Sequence, residues 1–200
     1  MNSVISLILA SNLIGQSVQL KDSELRKLDT FASNFAETFT PPFANGRASD
    51  ALMIDFALSH CCLNKQKDGA VKGGEIHFSR SVISSVIQRF FAKKVNLNRK
   101  EFSVPFADGE TFPEARAFKV TGSYPKAFRL YCIEYVNKEG AGQSVTGADV
   151  AEIHRYVRIQ ARQSPTERGR FVIDSLAVLS GPNWKAESGV RTTTFVRPSP

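Results

Sequence analysis

No stretch of this 200-residue sequence stays apolar over the roughly 18–20 residues that a membrane-spanning helix requires. Cysteine is scarce. Cys61, Cys62 and Cys132 leave an odd thiol in any pairing, which excludes a disulfide framework. Adjacent Cys61 and Cys62 project in different directions on a helix, so at most one of them can reach Cys132. With no C-x-x-C pair, and with His60, His77 and His154 far apart, no metal site and no cofactor is expected. The cysteines read instead as small buried hydrophobes. No phosphate loop is present either, since no Lys-Ser/Thr follows Gly73-Gly74 at the required spacing. Asp108-Gly109-Glu110 lacks the longer ligand series of a calcium loop and reads as a hairpin turn. Neither internal repeats nor low-complexity blocks occur.

Lysine and arginine are few in the first part of the chain and concentrated in the rest. Residues 1–75 carry a net charge of −1, whereas residues 76–200 carry +8 of the total +7. A basic second half suits an anionic ligand, an acidic partner or nucleic acid, and equally a solvated sheet face rich in arginine. Nucleic-acid binding is not expected, because no recognised module accompanies the charge.

Residues 1–17 read as a possible signal peptide: Val4 to Ile14 has the length of a signal h-region and Gly15-Gln-Ser17 supplies small residues, although no Lys or Arg precedes it. Residues 18–181 form a single domain, and 182–200 a loop-rich tail in which Thr192 to Val196 could add an edge strand. Within the domain, Asp22-Ser23-Glu24 opens a helix whose Leu25, Leu28, Phe31 and Phe35 share a stripe, and Pro41-Pro42 ends it. Ser49-Asp50 caps a second helix running to Asn64, and Lys65 to Gly74 reads as a loop. Glu75 to Phe78 is a short strand, and Ser79 to Lys94 a third helix closed by Lys93-Lys94. The period then shortens to two. Phe102 to Phe106 is extended, and Ala115–Gly122 with Ala127–Asn137, then Glu152–Gln163 with Arg168–Gly181, form two hairpins. The expected fold is α+β: three N-terminal helices on one face of a curved antiparallel sheet of four to five strands, with an NTF2-like or cystatin-like architecture.

The segment Leu28 to Glu37 (LDTFASNFAE), followed by Phe43, resembles the opening L-x-x-F-F-S-N-F-x-E of a group of uncharacterised bacterial extracytoplasmic proteins, many of them lipoproteins. Phe56, His60 and Asn64, then Val82 to Phe91, Phe106 to Glu110 and Phe128 to Tyr135 follow in the matching order, so the resemblance spans residues 25–180. It implies a periplasmic or secreted α+β domain but brings no activity and no site residues. No cysteine lies near residue 15, so lipid anchoring is not expected.

Two surfaces carry candidate chemistry. His60 and Asn64 share a helix face and, with a carboxylate such as Asp55 or Glu134, could make an acid–base cluster; a packing histidine is the plainer reading. In the strand from Glu152 to Arg162, Ile153, Val157, Ile159 and Ala161 point one way, with Arg155 an exception. His154, Tyr156, Arg158, Gln160 and Arg162 point the other way, and Arg168 and Arg170 lie across the hairpin. Arginine forks and interleaved tyrosine suit an anion or an acidic partner; the plainer reading is a solvent face with paired charges. The expected function is therefore non-catalytic binding of a protein partner or small anionic ligand through Tyr156, Arg158, Arg162, Arg168 and Arg170. One alternative is a small enzyme using His60 in an NTF2-like pocket. Another is an inhibitor or immunity-type protein directed at a cognate effector.

Overall fold

The computed structural model describes residues 19–106, 112–123, 126–137 and 150–181. The expected signal segment, the turn at Ala107 to Glu110 and the tail with its edge strand lie outside these residues. Helix α1 spans Asp22–Glu37 and buries the predicted stripe of Leu28, Phe31 and Phe35. Lys21 precedes its first turn, and the Glu24 carboxylate accepts the Lys21 N–H at 2.9 Å, so an acidic side chain satisfies an orphan donor at the positive helix end. Helix α2, Asp50–Asn64, starts where Ser49 Oγ accepts the Leu52 N–H at 3.2 Å. Helix α3, Arg80–Phe91, is capped in the same way by Ser79 through Val82 N–H. It ends three residues earlier than the sequence pattern suggests, because Ala92 turns left-handed (φ 52°). Lys93 therefore does not close the helix; its ammonium donates to the Gly46 carbonyl and ties down the loop before α2.

The strands form two antiparallel sheets rather than one. The smaller joins β1 (Ala70–Lys72), β2 (Glu75–Ser79) and β3 (Glu101–Pro105) in that order. The expected loop at Lys65–Gly74 thus contains a strand. Gly73 and Gly74 both take positive φ (60° and 81°), the conformation a two-residue hairpin turn demands and glycine adopts without strain. The larger sheet is a meander of β4 (Glu114–Ser123), β5 (Ala127–Asn137), β6 (Val150–Gln163) and β7 (Phe171–Leu179). Its register aligns Val120, Leu130, Ile159 and Leu176 in one buried row across all four strands.

The helices do not all lie on this sheet. Helix α1 packs on β4 and α3 on β7, while α2 packs mainly against α3 and also touches the small sheet. The seam is aromatic: Phe35 stacks on Phe56 at 4.9 Å, Phe56 meets Phe90 edge-on at 5.1 Å, and Phe31 meets Phe171 of β7 at 6.0 Å. Each buried phenyl contributes roughly 1.5–3 kcal/mol, and these pairs lock α1, α2, α3 and β7 into one core.

Both edges of the large sheet are engaged at a few positions by other parts of the chain. On β4, Ser33 Oγ accepts the Ala115 N–H at 2.9 Å and donates to the Ala115 carbonyl at 3.1 Å, while Asp29 Oδ1 accepts the Ala117 N–H at 2.7 Å. On β7, Phe43 and Leu176 exchange two backbone hydrogen bonds of 2.9 and 3.1 Å.

Candidate functional site: a cationic cleft at the end of the sheet

On α1, Lys27, Thr30, Phe31 and Asn34 follow one another at helical spacings of three and four, so they share one face. That face meets Arg89 and Phe90 at the end of α3 and Gly169, Arg170 and Phe171 at the start of β7. Together they line a cleft of about 310 Å³. Phe31, Phe90 and Phe171 reach it only at their margins, being 7%, 2% and 7% exposed, and cations from three different elements stand around it. Arg89 lies 5.0 Å over the Phe90 ring, a cation–π contact that sets the guanidinium's position.

The electrostatics are unbalanced. Among the described residues, neither Lys27 nor Arg89 has a carboxylate within ion-pair reach, and Arg170 pairs with Glu167 at 2.6 Å. Burial first, and then repulsion from Arg170, pull the Arg89 pKa below its ordinary value, with Glu167 opposing. Two guanidiniums close enough to repel each other across this cleft are arranged to be bridged by an anion.

The turn that carries Arg170 is well braced. Ser164 Oγ accepts the N–H groups of Thr166 and Glu167 at 3.3 and 3.2 Å, and the Ser164 N–H bonds the Arg170 carbonyl at 2.8 Å. β7 begins only at Phe171, so Arg168 and Arg170 belong to this turn and not to a strand facing Arg158 and Arg162.

The five expected contact residues are thus divided. Arg170 enters the cleft, and Arg168 is exposed on the turn beside it. Tyr156, Arg158 and Arg162 lie on the sheet face turned away from the helices, where all three are half-buried. Arg162 is held by Asp174 at 3.0 Å, and Asp174 is the extra residue of a β-bulge in β7. That face is not an open solvent surface: Tyr131 is 0% and Lys119 2% exposed, and Thr121 and Val172 are buried beside them.

Arg155, the exception in the apolar row, is there to answer the buried Glu134. His154 is an extra residue against β5, since Glu134 faces Arg155 while Tyr135 faces Ile153. Arg155 keeps the register of Val157 and Ile159 and so points toward the helices, where it forms a two-pronged pair with Glu134 and donates to the Thr40 carbonyl at 2.9 Å, while the bulge displaces Ile153 beyond it. Ile153, expected on the buried side, lies beyond this bulge and is 44% exposed.

His60 makes no cluster with Asp55 or Glu134. Asp55 is exposed, and Glu134 is committed to Arg155. The His60 ring lies parallel to Phe56 and edge-on to Phe90, at 5.8 and 4.8 Å. Its Nδ1 faces Asn64 Nδ2 at 3.3 Å, and the same amide donates to Glu37 at 3.1 Å. Burial, with added repulsion from Arg89 and Lys65, holds the His60 pKa down to about 4. It is a neutral packing histidine and lines neither this cleft nor a second one near the start of α3. Cys61, Cys62 and Cys132 are buried and unpaired, and among the described residues no cluster of potential metal ligands occurs.

The sequence reading missed Lys27, Thr30, Asn34 and Arg89. Their signal was the polar residues at Lys27, Thr30 and Asn34 interrupting an otherwise apolar helix face. Comparisons with protein-family models, with curated proteins and with solved structures return no match.

Proposed function

We propose that this chain is a non-catalytic binding domain that holds a small anionic ligand in the cleft between α1, α3 and the β6–β7 turn. The observation that carries this reading is the convergence of Lys27, Arg89 and Arg170, from three elements, around one cleft, with Glu167 as the one carboxylate paired there among the described residues. Pockets of this size, mostly apolar with a few converging polar groups, are the usual form of a small-molecule site. A periplasmic or secreted location rests on the apolar segment Val4–Ile14 and on the resemblance spanning residues 25–180. The sheet face with Tyr156, Arg158 and Arg162 is supported less well, because it is half-buried and Arg162 is already paired. An enzyme with an NTF2-like pocket built on His60 is supported least: the imidazole is 3% exposed and packed between phenyl rings.

Isothermal titration with inorganic phosphate and small organic acids tests the reading. The Lys27→Ala/Arg89→Ala double variant is expected to lose at least roughly tenfold in affinity, because two of the three cations are removed. Its melting temperature should change little, since both side chains are solvent-exposed. Equal affinity in the double variant and the parent refutes the assignment.

A further inference from the structure

We infer that the cleft takes a hydroxylated phosphate monoester, a polyol or sugar phosphate, with its dianionic head on Lys27, Arg89 and Arg170 and its hydroxyls on Thr30 and Asn34. This rests on the anion-binding reading above and specifies its ligand. None of the residues lining the cleft is acidic, and three of them are cations. Among the described residues Glu167 pairs with Arg170 from outside that lining, so three cations against one carboxylate leave an excess of two positive charges. A monoanion leaves half of that excess unanswered, whereas a dianion matches it. A phosphate head also presents several terminal oxygens to cations arriving from three elements, and guanidinium forks engage such oxygens in pairs.

The neutral polar groups of the cleft call for donors on the ligand. Thr30 Oγ1 gives its hydrogen to the Arg26 carbonyl at 2.9 Å, so toward a ligand that oxygen can only accept. Asn34 is 9% exposed and spends an N–H on the Thr30 carbonyl, and among the described residues no donor reaches its amide oxygen. Accepting oxygens beside cations are poor partners for a bare anion and good ones for hydroxyls carried next to it. The phenyl rings are buried but for their margins, so polar groups must hold the occupant. A volume of about 310 Å³ leaves room for a small hydroxylated body beside a phosphate head.

The test is calorimetric titration of the full chain with glycerol phosphate, methyl phosphate and methyl sulfate. Methyl sulfate has the same tetrahedral head with one charge fewer. At pH 8 both phosphates are expected to bind at least roughly tenfold tighter than methyl sulfate, through the second charge. Acidification to pH 5, below the second phosphate pKa of about 6, should remove most of that advantage. Methyl sulfate keeps one charge at both pH values and so controls for titration of the protein. Glycerol phosphate should exceed methyl phosphate by roughly threefold or more, through its hydroxyls. Thr30→Val, at an exposed helix position, should reduce that preference while leaving methyl phosphate affinity and melting temperature unchanged. Equal binding of methyl sulfate and methyl phosphate at pH 8 overturns the dianion while leaving an anion site. Equal binding of the two phosphates, or a preference untouched by Thr30→Val, overturns the hydroxyl contacts. No binding of any of the three anions overturns this inference and the anion-binding reading together.

Discussion

Acidification reaches the core of this protein through His60. The unfolded imidazole titrates near 6.5 and the folded one near 4, because burial between Phe56 and Phe90 penalises the charged ring and Arg89 and Lys65 repel it. Between those values only the unfolded chain takes up the proton, so stability is lost as pH falls through 6.5 toward 4. A shift of that size at about 1.4 kcal/mol per unit amounts to about 3 kcal/mol in full, roughly three-quarters of it lost by about pH 4.5. Asp29 works in the opposite direction. Burial raises its carboxyl to about 6 against the bond from Ala117, so its contribution is present at low pH and is lost as pH rises through 6. The pH profile of the parent protein therefore mixes two opposed slopes, and a single variant separates them. His60→Gln keeps an acceptor for the Asn64 amide and removes the titrating ring. Urea unfolding of parent and variant at pH 7 and pH 4.5 gives two stability differences. The parent's advantage is expected to shrink by about 2–3 kcal/mol between the two conditions. A difference that stays constant within about 0.5 kcal/mol, near the resolution of such extrapolations, refutes the assignment of His60 as a buried neutral group.

Other perturbations follow from the same geometry. Arg155→Ala leaves Glu134, 0% exposed, without its guanidinium, and is expected to cost about 3–5 kcal/mol in chemical denaturation. Replacing both partners by apolar residues should recover most of that loss. Gly122 has φ 113°, and a Cβ there would sit 2.6 Å from the Ala127 carbonyl oxygen and 2.9 Å from Phe128 Cα, both backbone atoms. Gly122→Ala should therefore destabilise by more than about 2 kcal/mol. Arg162→Ala removes a partly exposed pair with Asp174 and is expected to cost under about 1 kcal/mol, without changing the affinity of any cleft ligand. A large loss of ligand affinity would return the site to the sheet face. Burial pushes the Cys61 thiol up to about 12 and Cys132 well above its ordinary range. Native protein should accordingly resist iodoacetamide at both positions, with modification appearing only as the chain unfolds.

Much of the secondary structure was legible because its determinants are local. Ser49 and Ser79 announce the starts of α2 and α3, Pro41-Pro42 marks the region where α1 ends, and alternation placed β5 within its observed bounds. What was hidden depends on pairing between distant residues. The glycines at 73 and 74 mark a hairpin turn, but a three-residue strand such as β1 carries too few side chains to show an alternation. Arg155 looked like an intruder in an apolar row; only its pairing opposite Glu134 on β5 shows that it answers a buried carboxylate. The cleft was least legible of all. Its helical stripe is present in the sequence from Lys27 to Asn34, yet Arg89 and Arg170 join it solely because the aromatic core draws α3 and β7 against α1. The basic excess of the second half was correctly sensed as a feature but divided in space. Part of it faces the cleft, part is paired across β6 and β7, and part lies on the buried sheet face.

The stitching of both margins of the large sheet has a consequence for how this protein meets other chains. Recognition by β-augmentation needs a bare row of amides and carbonyls on which a guest peptide can lie as a new outermost strand. Here Ser33 and Asp29 occupy that row on β4, and Phe43 occupies it on β7, so a guest would first have to unzip the chain's own attachments. The same attachments oppose edge-to-edge pairing of two copies at those positions. The outer strand of the small sheet, β1, is exposed along its length and among the described residues pairs only with β2, so a backbone partner would meet that edge and not the stitched positions of the large sheet.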